Sequence, residues 1–318
     1  MRKQVSIECT GLYKSFGPKT ALRDVSFQAT GAQAIGLLGQ NGAGKSTLLN
    51  ILAGIILPDK GEALINGQSM TEAPVTTKEN VGYLSETAPL YDEMTVKEYV
   101  RFLIALNRVK KADRQRHYDN LIDLCNLGDA QNRLCGNLSH GFRQRVALCG
   151  ALCGKPDVLL LDEPTTGLDP SQLIDFRRLI DTLSQSHIII LSSHTLSLIE
   201  SLCSRVILLN EGHKVLDRSL KQNNGLRQYL VKLNTIDRVA LPILRQLPSV
   251  KRVTTLPQEG GKGCWLVESD MGDKFPHELF AALSARHIAL LTLTPMRQSL
   301  EDVYLATLQG ENNHDHTV

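Results

Sequence analysis

The chain has 318 residues, 42% hydrophobic and 21% charged, a balance that suits a folded protein of two domains and excludes disorder on a large scale. Its formal net charge is +2, from 35 basic and 33 acidic residues, so the global field gives no reason to expect a nucleic-acid partner. No run approaches the roughly 18 apolar residues of a membrane span, and Met1-Arg2-Lys3-Gln4 opens no secretory signal; any membrane role is expected to run through a partner.

Residues after Gln4 alternate in a strand-like way. Ala34 to Leu38 is a short continuous apolar run, as in a strand buried on both faces, and Val158 to Leu161, Ile188 to Leu191 and Val206 to Leu209 repeat it. With helical segments between them, these runs predict an α/β domain around a parallel sheet over residues 1–217. Between about Met94 and Gly136 the strand pattern gives way to helical, charged sequence, including Lys110-Lys111 and Arg114 to Arg116, which predicts an inserted helical subdomain at 94–136. Leu173, Phe176, Ile180 and Leu183 place one apolar stripe on a helix packed against the sheet, with its entrance at Pro170-Ser171.

Residues 218–226 read as a linker, after which the rhythm changes. Tyr229 to Leu233 predicts a strand, Val239 to Leu247 a helix, Val250 to Leu256 and Gly263 to Glu268 a hairpin, His277 to Ser284 a helix and Ile288 to Leu293 a strand. That order, β-α-β-β-α-β, predicts a small α+β ferredoxin-like domain over 227–310, expected to regulate or to support a dimer. Pro242 predicts a kink or a late start for the first helix. Ser299-Leu300-Glu301-Asp302 resembles a capping box opening a terminal helix, and 311–318, with His314 and His316, reads as a flexible tail. Seven cysteines form no Cys-x-x-Cys pair and are expected to be reduced thiols.

Two motifs carry chemistry on their own. Gly39-Gln40-Asn41-Gly42-Ala43-Gly44-Lys45-Ser46 matches Gly-x4-Gly-Lys-Ser/Thr between an apolar strand and the helical segment that Thr47 opens. Its glycines let successive N–H groups, those of Asn41 and Ala43 among them, curl around phosphate, with the positive end of the helix behind. Lys45 is expected to neutralise the β- and γ-phosphates of ATP and Ser46 to ligate Mg²⁺, and no other nearby basic residue is set to face those phosphates. Downstream, Val158-Leu159-Leu160-Leu161-Asp162-Glu163 ends a buried strand with two carboxylates, at the edge where α/β proteins bind ligands. Asp162 is expected to hold Mg²⁺, directly or through water, and Glu163 to point to the attacking water.

Between them, Leu138-Ser139-His140-Gly141-Phe142 resembles the Leu-Ser-Gly-Gly-Gln signature of the ATP-binding cassette family; Leu138, Ser139 and Gly141 match, while His140 and Phe142 depart. The resemblance spans residues 5 to 217 and continues in Gly167-Leu168-Asp169, a dimer-contact loop in the family, and in Ser192-Ser193-His194. It implies a P-loop NTPase cassette working as a head-to-tail dimer, in which Ser139 and Gly141 cap the γ-phosphate held by the opposite subunit. It also implies that His194 contacts the γ-phosphate and that Phe16 stacks on adenine. Where the family usually has a Gln touching Mg²⁺ and the attacking water, this chain has Glu86, a carboxylate that can still ligate metal or hold water. The narrower likeness, in Tyr83-Leu84-Ser85-Glu86, Pro89-Leu90-Tyr91 and the closing Ser299 to Tyr304, is to the branch pairing with six-span export permeases. The expectation is an ATPase at the cytoplasmic face, powering transport through a separate integral-membrane permease, with Thr87 to Met94 carrying the movement. The competing expectations are a cassette ATPase acting on ribosome or DNA, and a small-molecule kinase, which has no use for the signature segment.

Overall fold

A computed structural model describes residues 5–87, 89–220, 227–256, 263–271 and 274–296. The chain divides into two compact units, Met1–Leu220 and Lys221–Val318. The expected terminal helix from Ser299, residues 221–226 of the expected linker and the expected tail lie outside the described residues.

In chain order the first unit contains β1 (Ser6–Phe16), β2 (Lys19–Thr30), β3 (Gln33–Leu38), α1 (Lys45–Leu52), β4 (Lys60–Ile65), β5 (Gln68–Ser69), α2 (Pro74–Lys78) and β6 (Val81–Leu84). It continues with α3 (Val96–Leu106), α4 (Arg114–Leu124), α5 (His140–Leu152), β7 (Val158–Leu161), α6 (Pro170–Leu183), β8 (Ile188–Ser193), α7 (Leu196–Leu202), β9 (Arg205–Asn210) and β10 (His213–Ser219). The central sheet has the order β10-β9-β3-β8-β7-β6. Its inner pairs are parallel, as the continuous apolar runs require, and β9 turns back into β10 as an antiparallel edge.

A second, antiparallel sheet of order β2-β1-β4-β5 was not foreseen. Its strands share one core with α1 and the central sheet, Leu12, Leu22, Val25 and Phe27 packing in the same cluster as Leu48, Ile51, Leu160 and Ile190. Burial of apolar surface, at about 25 cal/mol per Å², is what joins the two sheets. The stretch from residue 95 to 137 is helical, with α3, α4 and three single 3₁₀ turns, and α3 opens on a capping box between Thr95 and Glu98. Helix α6 buries Phe176, Leu179, Ile180 and Leu183. It begins at Pro170, as expected, and its cap is Asp169, which accepts from the Gln172 amide at 2.9 Å and from the Ser171 hydroxyl at 2.7 Å.

The second unit contains β11 (Arg227–Leu233), α8 (Asp237–Gln246), β12 (Val250–Thr255), β13 (Gly263–Ser269), α9 (Phe275–Ser284) and β14 (Leu290–Met296). Its sheet, β12-β13-β11-β14, is antiparallel throughout, the ferredoxin-like arrangement the element order predicts. Tyr229, Val231, Leu233, Trp265 and Val267 line the face that α8 and α9 cover with Ala240, Leu244, Phe275, Leu279 and Leu283. Trp265 is fully buried and gives its indole N–H to Asp237 at 2.9 Å. Helix α8 starts early, at Asp237, and holds Pro242 inside it; the late start allowed for that helix does not occur.

Candidate functional site

Four neighbouring parallel strands, β3, β8, β7 and β6, release their chains at one edge of the central sheet. From those ends come, respectively, Gly39, His194, Asp162 with Glu163, and Ser85 with Glu86. The carboxyl edge of an open α/β sheet is where backbone turns leave room for a ligand.

The loop from Gly39 to Gly44 joins β3 to α1 in a conformation that only small residues permit. Gly42 and Gly44 have φ of 84° and 107°, and a β-carbon on Gly44 would collide with the Ala21 carbonyl. One on Gly39 would stand 2.5 Å from the Leu209 carbonyl. These contacts leave a cradle of backbone N–H groups at the start of α1, whose first turn has no side-chain cap. Asn41, Gly42 and Ser46 are exposed, whereas Ala43, Gly44 and Lys45 are buried. The Lys45 ammonium curls back over the loop and donates to the carbonyls of Gly39 at 2.8 Å and Gln40 at 3.2 Å. It also lies 3.7 Å from Glu163 Oε1.

Asp162 and Glu163 are held by a residue the sequence reading passed over. The buried Ser192 donates its hydroxyl to Asp162 Oδ1 at 2.6 Å and accepts the Glu163 N–H at 2.7 Å. One side chain of β8 thus fixes both acids at the end of β7. The signal was the serine pair before His194, read only as a marker of the strand end. Glu163 has φ 44°, a left-handed backbone that is uncommon for a residue with a long side chain. Its carboxylate sits between Lys45 and His194, whose Nδ1 is 3.1 Å from Oε2 and 3.2 Å from Oε1. His194 is exposed on its far side. Below, the Tyr83 hydroxyl donates to Asn50 at 3.0 Å, and burial, helped by the Asp162 carboxylate, pushes its pKa up to about 12.

Glu86 stands exposed just past β6, and among the described residues its side chain has no hydrogen bond. The structure does not bring it to the other acids by any direct contact. Phe16 is 51% exposed at the end of β1, so core packing does not account for it; Tyr13 is 38% exposed with Lys60 over its ring. Among the described residues there is no group of three or more His, Cys, Asp or Glu able to hold a metal. A Mg²⁺ that keeps its waters and nucleotide oxygens needs only one or two protein ligands, and the buried Asp162 with the exposed Ser46 hydroxyl is a donor set of that hard-oxygen kind.

Ser139 is the N-cap of α5, yet its hydroxyl makes no capping bond and stays exposed, so this helix start keeps its donors free. Gly141 is buried, and a β-carbon there would collide with the Gln172 amide, which gives this glycine a packing reason of its own. His140 bonds through Nε2 to the Thr166 carbonyl at 2.8 Å, and Gln144 donates to the Pro164 carbonyl at 2.9 Å. The signature turn and the segment after Glu163 are therefore bolted together within one chain. Tyr91 is 52% exposed and stacks edge-on with Tyr99 and Phe102 of α3. No helix among the described residues is long and apolar enough to cross a membrane.

A family model described as ABC transporter matches residues 22–166. The chain is 35% identical over 198 residues to the ABC transporter ATP-binding protein NatA of Bacillus subtilis, covering 61% of this chain and 80% of that protein. It is 31% identical over 302 residues to an uncharacterized ABC transporter ATP-binding protein of Nostoc, covering 94% and 86%. A solved structure of the ATP-binding subunit of an ABC transporter superposes with a TM-score of 0.62 at 27% identity, covering 67% of this chain and 90% of that one.

Proposed function

Because this chain belongs to the ATP-binding cassette transporter family, it is the ATP-binding and ATP-hydrolysing subunit that powers transport through a separate membrane permease, and we propose the residues that do this work. The carrying observation is the Glu163 carboxylate, set between the Lys45 ammonium and the His194 imidazole at the mouth of the glycine loop. On binding ATP, the loop N–H groups of Asn41 to Ser46 and the start of α1 hold the β- and γ-phosphates. Lys45 exchanges the carbonyls of Gly39 and Gln40 for phosphate oxygen. Thr47 extends the same cradle, and Phe16 offers an exposed ring to adenine.

Ser46 and Asp162 would hold Mg²⁺, with Glu86 proposed as a further carboxylate for it, and the ion would neutralise phosphate charge. Glu163 orients the attacking water and takes its proton; His194, touching the same carboxylate, holds it in place and senses the γ-phosphate. In a head-to-tail pair, Ser139 and the N–H groups at the start of α5 close over the γ-phosphate of the opposite copy. The exposed Tyr91, Phe102 and Leu106 offer an apolar surface to the permease, which supports a working position at the cytoplasmic face of the membrane. The second unit, with a core of its own, supports the dimer or regulates it. The narrower pairing with a six-span export permease follows from the sequence likeness around Tyr83 to Tyr91.

Light scattering of Glu163→Gln with ATP and Mg²⁺ tests the scheme, because slow hydrolysis lets an ATP-linked dimer accumulate. A monomer-to-dimer shift is expected, and adding Ser139→Arg should abolish it. Equal dimerisation of the double variant would remove Ser139 from the site.

A further inference from the structure

The first strand pair carries a cation that the functional reading has not used. Phe16 and Lys19 are directly paired across the turn joining β1 to β2, and Gly17-Pro18 fills that turn. One residue of the pair is the exposed aromatic; the other reaches toward the phosphate loop. A β-carbon placed on Gly42 would stand 3.6 Å from Lys19 Nζ.

The start of β2 is anchored to that loop by its backbone, which fixes the stem of Lys19 beside the loop. The Ala21 carbonyl packs against Gly44 on one side and Gly212 on the other. Gly212 in turn donates its N–H to the Ala43 carbonyl at 3.1 Å and accepts the Arg23 N–H at 2.8 Å. Lys19 lies two residues before Ala21, so both point to the same face of the strand.

Charge separates Lys19 from its neighbours. Lys14, in the same hairpin, is already taken: Asp59 holds its ammonium at 2.8 Å and it lies over the Phe16 ring. Lys45 is pinned beneath the loop on the carbonyls of Gly39 and Gln40. Lys19 is exposed and, among the described residues, has no ion-pair partner. An unpaired ammonium beside exposed N–H groups adds a full charge to an anion cradle.

We propose that Lys19 is a second phosphate-binding cation, contacting the polyphosphate of the bound nucleoside triphosphate from the outer, Gly42 side while Lys45 serves the inner side. This rests on the reading of residues 39–46 as the nucleotide site and departs from the sequence expectation that no basic residue besides Lys45 faces the phosphates. The β1–β2 turn then grips both ends of one ligand, with Phe16 on the base and Lys19 on the phosphates. Because Lys19 is solvent-exposed, its contribution is modest and screened by salt.

The test is calorimetric titration of the full chain with ATP and with ADP, comparing the parent, Lys19→Gln, Lys19→Arg and Lys45→Ala. Lys19→Gln should raise the Kd for ATP by about three- to tenfold and flatten its salt dependence. Lys19→Arg, which keeps the charge, should restore most of the affinity. An unchanged Kd in Lys19→Gln beside lost binding in Lys45→Ala would overturn the role of Lys19 and leave the site standing. Parent-like binding in both would remove the site itself. Should Lys19→Gln melt earlier without ligand, Lys19→Arg decides: a well-folded arginine variant that binds no better overturns the proposal.

Discussion

The Nδ1 atom of His194 lies 3.1 Å from Oε2 of Glu163, joining the ends of two adjacent strands through one carboxylate. If His194 acts by holding Glu163, the two residues form a unit whose deletions do not add. Glu163→Gln should retain ATP and lose hydrolysis by roughly two to four powers of ten. His194→Ala should lose less, and the double variant should be no slower than Glu163→Gln alone. Steady-state phosphate release from the four proteins checks this; strictly multiplicative losses would separate the roles.

Ser192 yields the second prediction. Its hydroxyl satisfies Asp162 and the Glu163 amide together, in a place where water has no access. Ser192→Ala should destabilise the chain by about 1.5–3 kcal/mol, the usual scale for a buried hydrogen bond to a charged group. Urea unfolding gives the stability and the same sample gives the turnover. A variant as stable as the parent would mean the two acids hold their positions without it.

Acid should weaken the first unit through its surface carboxylates. Hydrogen bonds from the Lys14 side chain and the Ser15 amide hold Asp59 below the usual range. The amide and hydroxyl of Thr95 do the same for Glu98, and the Ser171 hydroxyl with the Gln172 amide for Asp169. A depressed folded pKa means stability that is fully present above the unfolded value, about 4, and lost as the pH falls through the folded one. Melting temperature should therefore be flat from neutrality to about pH 5 and fall below about pH 4. Glu98→Gln should show a smaller acid-induced drop than the parent.

Thiol titration is the fourth check. Six cysteines are buried and Cys264 alone is partly exposed. Burial pushes the Cys9 and Cys203 thiols well above their ordinary range, leaving little of the reactive thiolate. A disulfide-exchange reagent should react quickly with at most one thiol of the native chain and with all seven after unfolding. Rapid labelling of several thiols would show that the buried set opens in solution.

The inner strands of the central sheet were legible because burial on both faces leaves unbroken runs such as Val158 to Leu161. The strands of the second unit were legible through order and spacing. The antiparallel sheet was not, because β1 shifts register between Cys9 and Leu12, again before Lys14 and again before Ser15. Each irregularity resets the alternation on which a strand is recognised. Motif residues announced themselves by type, since only glycine tolerates the turn at Gly44 and only a cation suits Lys45. Supporting residues did not. Ser192 meets residues distant in sequence, Asp162 being 30 away, and the serine pair before His194 does not by itself reveal which side chains it holds.

Glu163 occupies a backbone region that suits glycine, and keeping a long side chain there costs on the order of 1–3 kcal/mol. Evolution toward thermal robustness would therefore find an easy gain in Glu163→Gly, at a position where the gain is useless. Such a protein should outlast its parent on heating and turn over nothing, so that selection for endurance and selection for work pull this one residue in opposite directions.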